Sequence, residues 1–198
     1  MIYLRIQVNK MNKEEIIELI KKTESPLKRQ LLLVALISYQ LRLKGKEIPI
    51  VIGGLALSYY TREVYFTADI DLAYSDGESL GEVLKELSFK KKGKYWVNEG
   101  LKAAVEVPVE VLAAEEAPLE IVELGPDLHC KLIGIEDLII ERIKAYKHLN
   151  SETDGEMAEL LIMRYFDEID WEYVELKAAH PEIDVGEVLS ELKNKVEM

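Results

Sequence analysis

The sequence predicts an α/β (α+β) protein, a mixed sheet flanked by helices with a helical C-terminal third. Three observations carry that prediction. A short apolar run, IPIVI (residues 48–52), ends on Gly53 and Gly54 and leads into helix-like LALSYYTRE. TADIDLAYS alternates polar and apolar residues with the period of two expected of a half-buried strand. From Gly134 onwards the apolar spacing changes to that of a helix and keeps it.

The elements follow in order. IYLRIQV (2–8) alternates well enough for an edge strand. NKEEIIELIKKTES (12–25) has an Asn to cap a helix, acids early and lysines late, as the helix dipole favours. After Pro26 a second, amphipathic helix is expected to about Gly45. The run 48–52 is a short buried strand ended by the glycine pair. DGESLGEVLKELS gives a helix beginning near Asp76. KYWVNEG reads as a strand and turn, and LKAAVEVPVEVLAA as an extended stretch that Pro108 bends or places at an edge. PLEIVELG and DLHCKLIG alternate like two further strands. Four helices should follow, in IEDLIIERIKAYKHL, SETDGEMAELLIMRYF, DWEYVELKAAH and DVGEVLSELKNKV, with residues 151–154 and Asp184 as caps. Without a repeat, a low-complexity tract or a Pro/Gly/Ser linker, residues 1–133 should form the α/β core. Residues 134–198 should pack on it as a helical region, in one compact unit.

Composition narrows the class. Of 198 residues, 48% are hydrophobic and 31% charged, which is globular rather than disordered. The longest apolar run, LLLVALISYQL (31–41), falls well short of the roughly 20 residues that span a bilayer. With no signal-peptide pattern at the N-terminus, a cytoplasmic protein without a membrane partner is expected. Cys130 is the single cysteine, which excludes an internal disulfide and any Cys-rich zinc site. A net charge of −12 opposes broad nonspecific nucleic-acid binding, because polyphosphate is held by Lys and Arg. The lysine-rich KELSFKKKGK (85–94) offers a local basic groove or, with no ligand, an exposed helix end and turn. Abundant Lys and Glu with three Gln and five Asn match the profile of thermophile proteins.

Two features go beyond what folding needs. Side chains at i and i+2 of a strand share a face roughly 6.5–7 Å apart, so Asp69 and Asp71 project together while Ile70 and Leu72 face the core. Paired carboxylates repel unless a cation or donor group sits between them. A divalent metal resolves that conflict, and Mg²⁺ favours such oxygen ligands together with substrate phosphates. Gly53 and Gly54 at the mouth of a helix expose backbone N–H groups with no Cβ to obstruct a phosphate. An anion cradle beside a metal-binding acid pair is the equipment of phosphoryl or nucleotidyl transfer. Either feature alone is commonly a turn or a wetted strand end; their order and close spacing favour a site.

These residues carry a resemblance. Val51-Ile52-Gly53-Gly54, a helix, then Thr67-Ala68-Asp69-Ile70-Asp71-Leu72 resembles the signature of the nucleotidyltransferase superfamily that includes DNA polymerase β. More narrowly it looks like the stand-alone prokaryotic group related to AbiEii-type toxins and the minimal nucleotidyltransferases. The helical segment 135–146, with Asp154 downstream, is similar to the C-terminal helices of that group. The resemblance implies a nucleotidyltransferase-like sheet, nucleotide phosphates against Gly53 and Gly54, and Mg²⁺ or Mn²⁺ on Asp69 and Asp71. It also implies a third carboxylate from a neighbouring strand, for which Glu106 is preferred and Glu110 is the alternative. Arg62 stands in for an arginine usually found just before Thr67, and Thr67 would orient the loop or an acid. Lys144, Lys147 and Asp154 would form a basic patch with an orienting carboxylate towards the nucleotide, or else coat a solvated helix face and cap the next helix.

The implied activity moves an NMP from an NTP to an acceptor hydroxyl on a protein, a tRNA end or a small molecule. Its toxin-like side implies an antitoxin partner, and a homo-oligomer is compatible with it. A Glu at the third acid position and the displaced arginine leave open a second reading, a non-catalytic nucleotide-binding or regulatory module on the same fold. His129, His148 and His180 lack metal-ligand spacing, and Cys130 beside His129 points to the opposite face of its strand. Tyr59 and Tyr60 serve packing or stack on a base.

Overall fold

The computed structural model describes residues 12–108 and 119–197, which fall into two compact units, Met1–Ile133 and Gly134–Met198. The strand expected at residues 2–8 lies outside the described residues, as does Glu110. None of the described helices is long and apolar enough to cross a membrane.

In the first unit, α1 (Lys13–Lys22) starts on a reciprocal cap. Asn12 Oδ1 accepts the Glu15 N–H at 2.9 Å, and Glu15 Oε2 accepts the Asn12 N–H at 2.8 Å. Ser25 caps α2 (Pro26–Leu43), which has Pro at its first position. The helix differs from the amphipathic expectation. Every residue from 30 to 38 is buried, because α2 packs against α1, α4 (Gly77–Glu86) and the sheet at once. A helix apolar on all sides belongs in a core.

Among the described residues, seven strands form one mixed sheet: β1 (Ile50–Ile52), β2 (Asp69–Ala73), β3 (Lys90–Lys92), β4 (Tyr95–Asn98), β5 (Ala103–Glu106), β6 (Glu120–Gly125) and β7 (Leu128–Leu132). Their order is β3-β4-β5-β2-β1-β7-β6. The pairs β1–β7 and β2–β5 are parallel and the others antiparallel. Ile70, Leu72 and Val105 in the central strands are fully buried. The lysine-rich segment departs from the helix-end expectation: Lys90–Lys92 is an exposed outer strand. Gly93, at φ +61, and Lys94 make the two-residue turn that pairs Lys92 with Tyr95, and this hairpin overrides the helical preference of lysine.

The second unit is helical: α5 (Ile135–Leu149), α6 (Glu152–Tyr165), α7 (Trp171–Ala178) and α8 (Gly186–Glu197). Asn150, in the left-handed region at φ 54, ends α5. A Cβ on Gly155 would lie 2.7 Å from Tyr146 Cδ2, so glycine permits the close approach of α5 and α6. Buried Asp137 accepts from Lys177 Nζ at 2.8 Å and Tyr173 Oη at 2.9 Å, tying α5 to α7. Ser151 precedes α6 without a side-chain cap bond, and Asp184 is not the residue before α8. Its carboxylate instead accepts from Lys147 at 3.0 Å.

Candidate metal centre and active site

The site is assembled by strand register. In β2 the aspartates are half-buried while Ile70 and Leu72 are sealed, so Asp69 and Asp71 share the more open face of the sheet. Parallel pairing sets Asp71 opposite Glu106 of β5 and Asp69 opposite Ala104. Opposed residues project to the same face. Carboxylate oxygens of Asp69, Asp71 and Glu106 all lie within 4.8 Å of one another, each residue half-buried. On the other side of Asp71, Ile52 ends β1 opposite it, which delivers Gly53 beside the acid.

Both glycines are required by contact. Gly53 opens α3 (Gly53–Tyr60) at φ +59, and a Cβ there would stand 2.6 Å from Asp71 Oδ2. A Cβ on Gly54 would stand 2.9 Å from both Cβ and Oγ1 of Thr67. The atoms nearest the two glycines are the Asp71 carboxylate and the Thr67 side chain. The Gly54 N–H favours the charged Asp71 carboxylate, and Ile52, the residue before α3, has no side-chain cap bond to the helix.

Each acid has a distinct environment. Thr67 Oγ1 donates to Asp69 Oδ1 at 2.6 Å, so Thr67 orients an acid as expected, and Gln30 Nε2 holds the Thr67 carbonyl at 3.2 Å. Burial pushes the Asp71 carboxyl above its ordinary value. The charges of Asp69 and Glu106 add to that shift, while the Gly54 N–H and Lys94 oppose it. Glu106 Oε2 is 2.9 Å from Lys94 Nζ, with the Lys94 ammonium 4.9 Å from the Tyr95 ring centre. Residues Lys92, Tyr95, Glu106, Asp71 and Ile52 form one row across the sheet.

Of the other expected residues, Arg62 lies two residues past the end of α3, at the far end of a helix that rises about 10 Å from Gly53. Lys144 and Asp154 belong to the helical unit, where Asp154 Oδ1 accepts from Arg142 at 2.7 Å. Tyr60 Oη donates to the Ile133 carbonyl at 2.9 Å and Tyr59 Oη bonds Glu120 at 3.1 Å, so both are held within the fold. A cavity of about 200 Å³, lined in part by Arg29, Gln30, Phe66 and Lys102, lies beside the loop before β2 and includes none of the three acids.

Lys94 is legible in the sequence only as one lysine of the 85–94 cluster, and Gln30 carries no local signal. The turn glycine Gly93 is the signal that places Lys94 at the head of a hairpin, but only register brings it to Glu106.

The three acids suit a hard divalent cation. They supply oxygen donors, and their mutual repulsion is relieved by a positive charge between them. No protein-family model matches this chain, and no curated protein matches it in sequence.

Proposed function

We propose that the chain is a metal-dependent nucleotidyltransferase that moves an NMP from an NTP to an acceptor hydroxyl. The observation that carries this reading is the convergence of Asp69, Asp71 and Glu106 on one face of the sheet, oxygens within 4.8 Å, beside a glycine-opened helix N-terminus. In the overall reaction an acceptor oxygen bonds to the α-phosphorus, the bond to the bridging oxygen breaks, and pyrophosphate leaves. Mg²⁺ or Mn²⁺ held by the three acids would supply charge neutralisation for the phosphates.

The chain's own groups have separable tasks. Asp69, Asp71 and Glu106 bind the cation. Thr67 fixes the rotamer of Asp69, and Gly53 lets the α3 N-terminus come close to Asp71. The half-open face leaves the acids accessible to a phosphate chain and to the acceptor. Glu106, which strand pairing sets beside Asp71 at the edge of the cluster nearer β4, is the acid placed to take the acceptor proton.

The test incubates the protein with Mg²⁺ or Mn²⁺ and each α-labelled NTP, alone and with total tRNA or a cell lysate. An Asp69→Ala/Asp71→Ala double variant runs alongside. Label transferred by the wild type alone supports the assignment and reveals the acceptor class. Metal-dependent nucleotide binding without transfer to any acceptor supports the regulatory-module reading instead. Absence of both metal and nucleotide binding refutes the site.

A further inference from the structure

We propose that Lys94 is the cation that Glu106 exchanges for the metal, and that the released ammonium then binds the phosphate chain of the metal-bound nucleotide. The inference rests on the metal-site reading above and adds a residue and an order of events to it.

Three observations carry it. Lys94 Nζ lies 2.9 Å from Glu106 Oε2, so one of the three acids already has a cation partner. Glu106 is only 18% exposed while the Lys94 side chain is 64% exposed, so the acid stays in the cluster and the ammonium can leave. Lys94 also sits with Gly93 in the two-residue turn, and its ammonium lies over the ring of Tyr95, the residue paired with Glu106 in the sheet. Swinging this side chain outwards requires no movement of a strand.

The physical consequence has a definite sign. An ammonium and a divalent cation on one carboxylate repel each other, so metal binding to Glu106 weakens the Lys94 pair and favours its detachment. Lys94 therefore lowers the affinity for metal alone. Once detached, the ammonium remains tethered beside the site and can donate to a phosphate oxygen, a charge-assisted bond. Lys94 therefore raises the affinity for nucleotide when metal is present. A lysine that only braced the hairpin or oriented Glu106 as a ligand would not produce these opposite signs.

The experiment measures Mn²⁺ binding to the full chain by the loss of the free-ion electron paramagnetic resonance signal, in wild type, Lys94→Met and Lys94→Arg. Circular dichroism and thermal melting check that each variant is folded. Lys94→Met is expected to bind Mn²⁺ about fivefold tighter than wild type, the scale of one exposed ion pair. The gap should narrow in high salt, which screens that pair, and Lys94→Arg, with its charge retained, should show no such gain. With saturating Mn²⁺, the α,β-methylene analogues of ATP and UTP should bind Lys94→Met about tenfold more weakly. Unchanged or weaker Mn²⁺ binding by folded Lys94→Met overturns the exchange, and unchanged analogue binding overturns the handover. If the wild type binds no Mn²⁺, the metal site itself is refuted, an outcome separate from failure of the Lys94 assignment.

Discussion

Gly53→Ala probes the joint between fold and site. At φ +59 an alanine is held in the left-handed region, which costs roughly 1–2 kcal/mol. The new Cβ would also lie 2.6 Å from Asp71 Oδ2 and 3.3 Å from its Cγ, so the carboxylate must leave its rotamer, at about 0.5–1.5 kcal/mol more. The expected loss is therefore roughly 2–3 kcal/mol in metal-free urea unfolding. Gly45→Ala is the control, because Gly45 has φ +69 but nothing within 4 Å of its added Cβ. It should show the backbone cost alone. A cycle with Asp71→Ala isolates the rest: removing the carboxylate should recover about 1 kcal/mol of the Gly53→Ala loss. Equal losses for the two glycine variants, with no coupling to Asp71, would refute the view that the helix start is fitted to the acid.

Three further outcomes are expected. Asp71 is raised above its ordinary 3.8, so the folded state holds its proton more tightly than the unfolded chain does. Its contribution is then lost as pH rises from about 3.8 through the raised value. Metal-free Asp71→Asn should gain in Tm on the wild type across that window and keep the gain at neutral pH, while a Tm difference independent of pH would contradict this. Thr67→Val removes the 2.6 Å donor to Asp69 and should cost about 1–3 kcal/mol in urea unfolding, together with weaker Mn²⁺ binding. Thr67→Ser should retain both, and a Val variant with wild-type binding would exclude the orienting role. Cys130 is buried and its thiol is pushed up to about 12. It should react with a chromogenic disulfide reagent only as fast as the protein unfolds, and rapid reaction of the native protein would contradict the burial.

The sequence is most legible where the signal is local. The segment IEDLIIERIKAYKHL coincides with α5, and Asp76 sits one residue before α4 with its side chain accepting the Ser79 N–H. Alternation alone places Asp69 and Asp71 on one face of β2. Legibility falls where pairing between distant segments decides the outcome. Glu106 meets Asp71 through the parallel register of β5 on β2, information that neither segment carries by itself. Asp154 meets Arg142 rather than Lys144 because the turn at Asn150 and Ser151 folds α6 back along α5, and helix-face geometry then selects the partner. Lysine propensity misdirects the reading of residues 90–92, where a glycine turn and cross-strand pairing prevail.

Among the described residues, β3 is the terminal strand at one edge of the sheet. A terminal strand presents N–H and C=O groups that another chain can pair with, the usual start of sheet-to-sheet growth. Here all three residues of β3 are exposed lysines. A second copy aligning its own β3 would bring two rows of ammonium groups to a strand spacing of about 5 Å, with repulsion that salt weakens but does not abolish. Lysine side chains along β3 thus disfavour pairing of this margin with a second copy of itself.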